Sequence, residues 1–183
     1  MSLSLNNDSP GLNCLSSEGY HHNSVSIAKL LNSGCTQCYM ADYRESTKTA
    51  DIMSCLGPIL FVGSKSTRSL TFLHGSYGPV AIVKASQPTK TSKMHNGVNW
   101  HFIENTSFGF SYDLQSISNG DDGIGTIGTI DTDKGVSWKL DAEVAATEGT
   151  AGYKKNLNMR NIFNLMPSSR FEKFIYNCPG IHS

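Results

Sequence analysis

A chain of 183 residues with a formal net charge of zero is long enough to bury one core unaided. It is too evenly charged to hold nucleic acid or an anionic membrane by bulk electrostatics. Only 16% of its residues are charged, against roughly 25% in ordinary soluble domains. Hydroxyl and amide side chains fill the gap, a surface chemistry that points to a secreted, extracellular β protein.

No apolar run approaches the roughly 18 residues of a membrane helix, so membrane insertion is not expected. The opening MSLSLNNDSPGLN lacks the basic and apolar stretches of a signal peptide; it suits a cytosolic chain or a mature form equally. Residues 1–23, with Pro10, Gly11 and Gly19, read as an extended N-terminal arm, and residues 24–183 as a single β-rich domain. Asn23 or Ser24 is placed to cap a short helix whose stripe is Val25, Ile27, Ala28, Leu30 and Leu31, with Gly34 as its stop. A second helix is predicted over Ser46 to Leu56, ended by Gly57-Pro58.

Cysteines stand at 14, 35, 38, 55 and 178, an odd count that leaves one over if the rest pair. Cys35-x-x-Cys38 has no second ligand pair for zinc, and the adjacent His21 and His22 do not supply one. It follows a helix end, whereas a redox CxxC opens a helix. Structural disulfides to Cys14, Cys55 or Cys178 are the preferred reading.

From Gly57 to Leu114 the apolar residues fall at strand spacing. Ile59 to Val62 and Val80 to Val83 are short apolar runs, each behind Gly-Pro, and fit strands buried on both faces. Ser69 to His74 is a third candidate strand, with a turn at Gly75-Ser76-Tyr77-Gly78. Gly97-Val-Asn-Trp-His-Phe102 resembles Gly135-Val-Ser-Trp-Lys-Leu140, and each is followed by a Gly-aromatic-x-x-x-Leu segment, at Gly109-Phe110 and Gly152-Tyr153. Two similar hairpins are expected, each turning one tryptophan to the core and leaving Asn99, His101, Ser137 and Lys139 outside. Phe108, Phe110, Tyr112 and Leu114 form an aromatic stripe. Phe171 to Cys178 alternates as a closing strand before Pro179-Gly180. The fold class is mainly β: an antiparallel β-sandwich or barrel-like domain with one or two short N-terminal helices.

No complete catalytic motif is present. Gly63-Ser64-Lys65 lacks the second glycine of a nucleophile elbow, and GIGTIG at 123–128 lacks the phosphate-binding lysine. Cys55 with His74 or His95 has no local signature, and nothing fixes the separation of Glu104, Asp113 and Glu172. His74, His95 and His101 would form a metal site only if folding brought them together. The glycine-rich acidic stretch 119–133 is the leading ligand region. Its Asp121, Asp122, Asp131 and Asp133 are the candidate metal ligands, with calcium the candidate cofactor, although the EF-hand spacing is missing. A plain solvated loop uses the same residues. Candidate ligand-binding residues are Asn99, His101, Tyr112, Asn119, Asp121 and Asp122, with Trp100 or Trp138 added if exposed. Asn105-Thr106-Ser107 fits the N-glycosylation acceptor pattern.

These features favour an extracellular, lectin-like binding module that recognises carbohydrate or a glycoprotein surface, as in cell adhesion. The alternative is a structural or self-associating protein, a homo-oligomer joined through an unpaired cysteine or an open edge strand. A hydrolase with an acid or thiol centre stands third.

Overall fold

The computed structural model describes residues 19–42, 45–86, 91–112, 128–131, 135–141, 152–153 and 171–180. The chain runs β1 (Gly19–His22), α1 (Ile27–Asn32), β2 (Thr36–Asp42), α2 (Thr49–Met53), β3 (Ile59–Ser66), β4 (His74–Pro79), α3 (Val80–Val83), β5 (Lys93–His95), β6 (Val98–Ile103), β7 (Ser107–Ser111), β8 (Gly128–Asp131), β9 (Gly135–Lys139), β10 (Gly152–Tyr153) and β11 (Phe171–Cys178). The first sheet has the order β1-β4-β3-β11-β2 and the second β10-β8-β9-β7-β6-β5. Among the described strands all pairings are antiparallel except the two-residue β10 on β8, and an isolated bridge between Thr47 and Leu140 is parallel as well. The result is a mainly β, sandwich-like fold with few short helices, and not a closed barrel.

The interior is layered because side chains alternate along each strand. Leu60, Val62 and Ile175 of the first sheet meet Val98, Trp100, Phe102, Phe108, Phe110, Val136 and Trp138 of the second in one core. The opposite face of the first sheet carries Phe61, Tyr77, Phe174 and Tyr176, covered by Val25, Leu30 and Phe72. A strand with apolar contacts on both faces needs no polar side, hence the unbroken ILFV of β3. β11 serves both layers by alternation, with Ile175 inward and Phe174, Tyr176 and Cys178 outward.

α1 begins two to three residues later than the expected cap at Asn23 or Ser24. Ser26 is its N-cap, accepting a hydrogen bond from the Lys29 amide at 3.1 Å. Gly34 follows at φ +79°, a left-handed position that glycine fills without strain. Gly19–His22, placed by composition in the arm, pair with β4 as an edge strand.

The two disulfides explain the CxxC. Cys35 bonds Cys178 and Cys38 bonds Cys55. A spacing of three along a strand puts the two sulfurs on opposite faces. Cys35 and Cys178 accordingly lie in the outer layer, and Cys55, with Cys38 packed against it, in the inter-sheet core. A pairing irregularity between Ile175 and Tyr176 leaves Cys38 without a cross-strand partner and keeps Tyr39 on the inter-sheet side. Cys14 lies outside the described residues.

Four expectations are corrected. Val80–Val83 is a short helix: Pro79 presets its entry at φ −57°, the Val80 amide donates to Pro58 O at 3.0 Å, and Val83 packs over Gly78, where a Cβ would lie 2.8 Å from Val83 Cγ2. GSYG is the body of β4, not a turn; Gly75 is there for close approach, since a Cβ would sit 2.3 Å from Phe61 Cζ. The chain from Ser69 to Leu73 is a loop held by hydrogen bonds from the Phe72 amide to Val25 O and the Leu73 amide to Ser64 O, both 2.8 Å. The two GVxW strands do not head separate hairpins: β6 and β9 flank the same strand, β7, with Trp100 opposite Phe110 and Trp138 opposite Phe108. The second Gly-aromatic segment, Gly152-Tyr153, pairs with β8 rather than β9.

Candidate functional site

Both tryptophans belong to the core. Trp100 is 1% exposed and Trp138 fully buried, so neither offers a stacking face to a ligand. By alternation Asn99 and His101 lie on the far face of the second sheet, as their spacing predicts, yet both are buried rather than solvated. Burial pushes the His101 imidazole down to about 4, so it is neutral at physiological pH. Asn99 Oδ1 and Ser107 Oγ are buried with no hydrogen-bond partner among the described residues.

Of the candidates in the 119–133 segment, Asn119, Asp121, Asp122 and Asp133 lie outside the described residues. Asp131 stands in β8 opposite Gly135; Gly135 stands opposite Ser111, and Ser111 opposite Asn99. Asp131 and Asn99 therefore share one row of the sheet but are three strand spacings apart, about 14 Å, too far to ligate one ion together. His74, His95 and His101 do not converge; among the described residues no group of three or more His, Cys, Asp or Glu could hold a metal ion. Cys55 is oxidised, which removes the Cys55–His74 nucleophile pair. Of the acids, Glu172 is bound to Lys65 at 3.0 Å, and Glu104 is exposed in the β6–β7 turn.

Tyr112 is different. The residue is 59% exposed, and its ring is the outermost member of a stack at the sandwich edge. Tyr112 lies on Tyr20 with centroids 5.3 Å apart and planes 25° apart. Tyr20 in turn lies on His74 at 5.9 Å and 28°. The Tyr20 hydroxyl and His74 Nδ1 are hydrogen-bonded at 2.7 Å, and His74 is fully buried. Phe110 closes the inner flank, 6.3 Å from Tyr20. An exposed ring is thus backed by a second ring whose polar end is anchored in the core. Such a platform has little side-chain entropy left to lose on binding.

Comparison with known protein families, known proteins and solved structures finds no match. The reading of the site therefore rests on its own chemistry.

Beneath the stack runs a buried polar row that sequence spacing does not announce. Register sets Lys173 opposite Ser64, and Ser64 opposite His74. All three are fully buried, on the face that meets the second sheet. Ser64 Oγ has no hydrogen-bond partner among the described residues. The Lys173 ammonium is turned toward the sandwich end, donating to Thr47 Oγ1 at 2.7 Å and to Glu45 O, 6.0 Å from the Trp138 ring centre. Burial lowers it to about 7 against the pull of the Glu45, Asp42 and Asp51 carboxylates. A serine between two bases is a nucleophile's arrangement, but none of the three atoms' residues has surface through which a substrate could reach it. Sequence offered no sign of this row, because its members come from three segments joined only by strand pairing.

Proposed function

We propose that this chain is an extracellular binding module that receives carbohydrate, or a glycosylated surface, on the Tyr112 face. The observation that carries the reading is the exposed Tyr112 ring stacked on Tyr20, with Tyr20 anchored to buried His74. A sugar presents a patch of C–H bonds to such a ring while its hydroxyls seek amides and carboxylates nearby. Zero net charge suits a neutral ligand. The two disulfides favour an oxidising compartment, and no described helix is long and apolar enough to cross a membrane. The acidic segment 119–133 follows Tyr112 in sequence, and calcium held by Asp121, Asp122, Asp131 and Asp133 is part of the proposal. The test is a glycan array probed with and without calcium, using the wild type and Tyr112→Ala. Binding lost on truncating Tyr112 supports the reading. A blank array in both conditions, or binding indifferent to Tyr112, sinks it.

A second reading, a hydrolase acting through Ser64, is favoured by one observation, the Lys173–Ser64–His74 row. It requires opening of the sandwich edge at Tyr20. A fluorophosphonate probe that labels the wild type and spares Ser64→Ala would support it; an unlabelled wild type would retire it.

A further inference from the structure

We propose that Asn105 carries an N-linked glycan. It sits exposed at the tip of the β6–β7 turn with φ +57°. That left-handed position suits asparagine or glycine on backbone grounds alone, so the turn accounts for Asn105 without any modification. It does not account for Ser107. The Ser107 side chain is fully buried at the start of β7, and its Oγ has no hydrogen-bond partner among the described residues. A buried hydroxyl left unsatisfied costs the fold stability, and alanine or a β-branched apolar residue would suit the position better. A hydroxyl two residues beyond asparagine is, however, what the glycosylation acceptor requires. Ser107 thus serves the modification at the expense of the fold.

Because that hydroxyl is buried in the folded chain, transfer takes place before folding is complete. Asn105 Nδ2 forms a bond to C1 of the sugar of a lipid-linked diphospho-oligosaccharide. The C1–O bond to the diphosphate breaks, the lipid diphosphate leaves with the electron pair, and the amide proton passes to a base of the transferase. β7 has five residues, which at about 3.3 Å each separate the tip from Tyr112 by roughly 17 Å. A glycan there leaves the Tyr112 platform open.

The inference rests on the extracellular compartment in the reading above, not on its ligand. To test it, the full chain is secreted from a eukaryotic cell line behind a signal peptide. The peptide containing residue 105 is then mass-mapped before and after peptide-N-glycosidase, which keeps any glycan on Asn7-Asp8-Ser9 separate. The expected result is a glycan on Asn105 that is lost in Asn105→Gly and Ser107→Ala and kept in Ser107→Thr. Ser107→Ala made in a host lacking the transferase is expected to unfold at a higher denaturant concentration than the wild type. An unmodified Asn105, in secreted or retained chain, overturns the proposal, as does a lower midpoint for Ser107→Ala. A blank glycan array bears only on the ligand and leaves both readouts intact.

Discussion

Lys173 and Thr47 are joined by a 2.7 Å hydrogen bond in which an ammonium, fully buried between the sheets, donates to a threonine hydroxyl. Tyr39 bonds the same hydroxyl at 2.8 Å, and Asp141 N donates to Thr47 O at 2.9 Å. The buried cation thus ties β11 to the segment before α2, and a backbone bond ties that segment in turn to Asp141, just beyond β9. The cation's cost shows in its titration. The folded lysine takes up its proton at about 7, while its ordinary value is 10.5. As pH falls through that window the unfolded chain is protonated first, so stability drops; below it both states hold the proton and the effect levels off. Stability is thus expected to rise from pH 7 toward pH 10, at up to about 1.4 kcal/mol per pH unit. Above that, Tyr39 and Tyr77, both raised by burial from 10.0 to about 12, reverse the trend. Urea midpoints for Lys173→Met should show a smaller rise, since burial lowers Lys84 as well; an equal rise in the variant would acquit Lys173.

On the acid side His101 governs the opposite window. Burial lowers it from 6.5 to about 4, so the unfolded chain is protonated first as pH falls from 6.5, and stability declines until about 4. His101→Asn should unfold with a flatter dependence between pH 6.5 and 4.5. A decline as steep as the wild type's would assign acid lability to other groups.

The two disulfides should differ in weight. Cys35–Cys178 spans 143 residues and Cys38–Cys55 spans 17. On the loop-closure estimate these constrain the unfolded chain by about 5 and about 3 kcal/mol. Replacing Cys35 and Cys178 with alanine should lower the unfolding midpoint more than replacing Cys38 and Cys55. The reverse order would place the dominant contribution in native packing.

Gly75→Ala should destabilise by about 2–3 kcal/mol through overpacking. Its Cβ meets the Phe61 ring at 2.3 Å, and that ring is wedged against Phe72 and Tyr77 at 4.9 and 4.8 Å. Adding Phe61→Leu to Gly75→Ala should recover part of the loss in a double-mutant cycle. Strict additivity would mean the ring is not what resists the methyl group.

Tyr112→Ala should abolish glycan binding while shifting stability by no more than about 0.5–1 kcal/mol, since most of the ring is in water. Tyr20→Phe removes only the hydroxyl that meets His74 and should weaken binding partially, by loosening the backing ring. Full affinity in Tyr20→Phe would show that stacking alone holds the platform.

Several of these features were legible without coordinates. The alternation of Phe171–Cys178 dictated a strand with two different faces, and the ILFV run of β3 dictated burial on both sides, because period two and continuous apolarity have few other solutions. Structural pairing of the cysteines followed from the absence of completing metal or redox residues. The GSYG stretch misled, because glycine signals a turn and a close approach alike; only the Phe61 ring distinguishes them. The VAIV run misled because four apolar residues fit a helix turn as well as a strand. Asn99 and His101 were placed on the correct face but in the wrong environment, since alternation specifies direction and not what lies beyond it.

Composition and local periodicity by themselves determined a neutral, β-rich chain whose cysteines favour structural pairing and whose two GVxW segments alternate as strands, because those properties depend on residue type and spacing; that both tryptophans are buried came from the fold. The tertiary structure alone decided the rest. It set β11 between β3 and β2, turned the CxxC into two bonds serving two layers, and aligned Lys173, Ser64 and His74 in one row. It also left Tyr112, rather than either tryptophan, as the exposed aromatic ring among the described residues. Strand register between distant segments makes these choices, and no local pattern in a chain encodes which strand lies beside which.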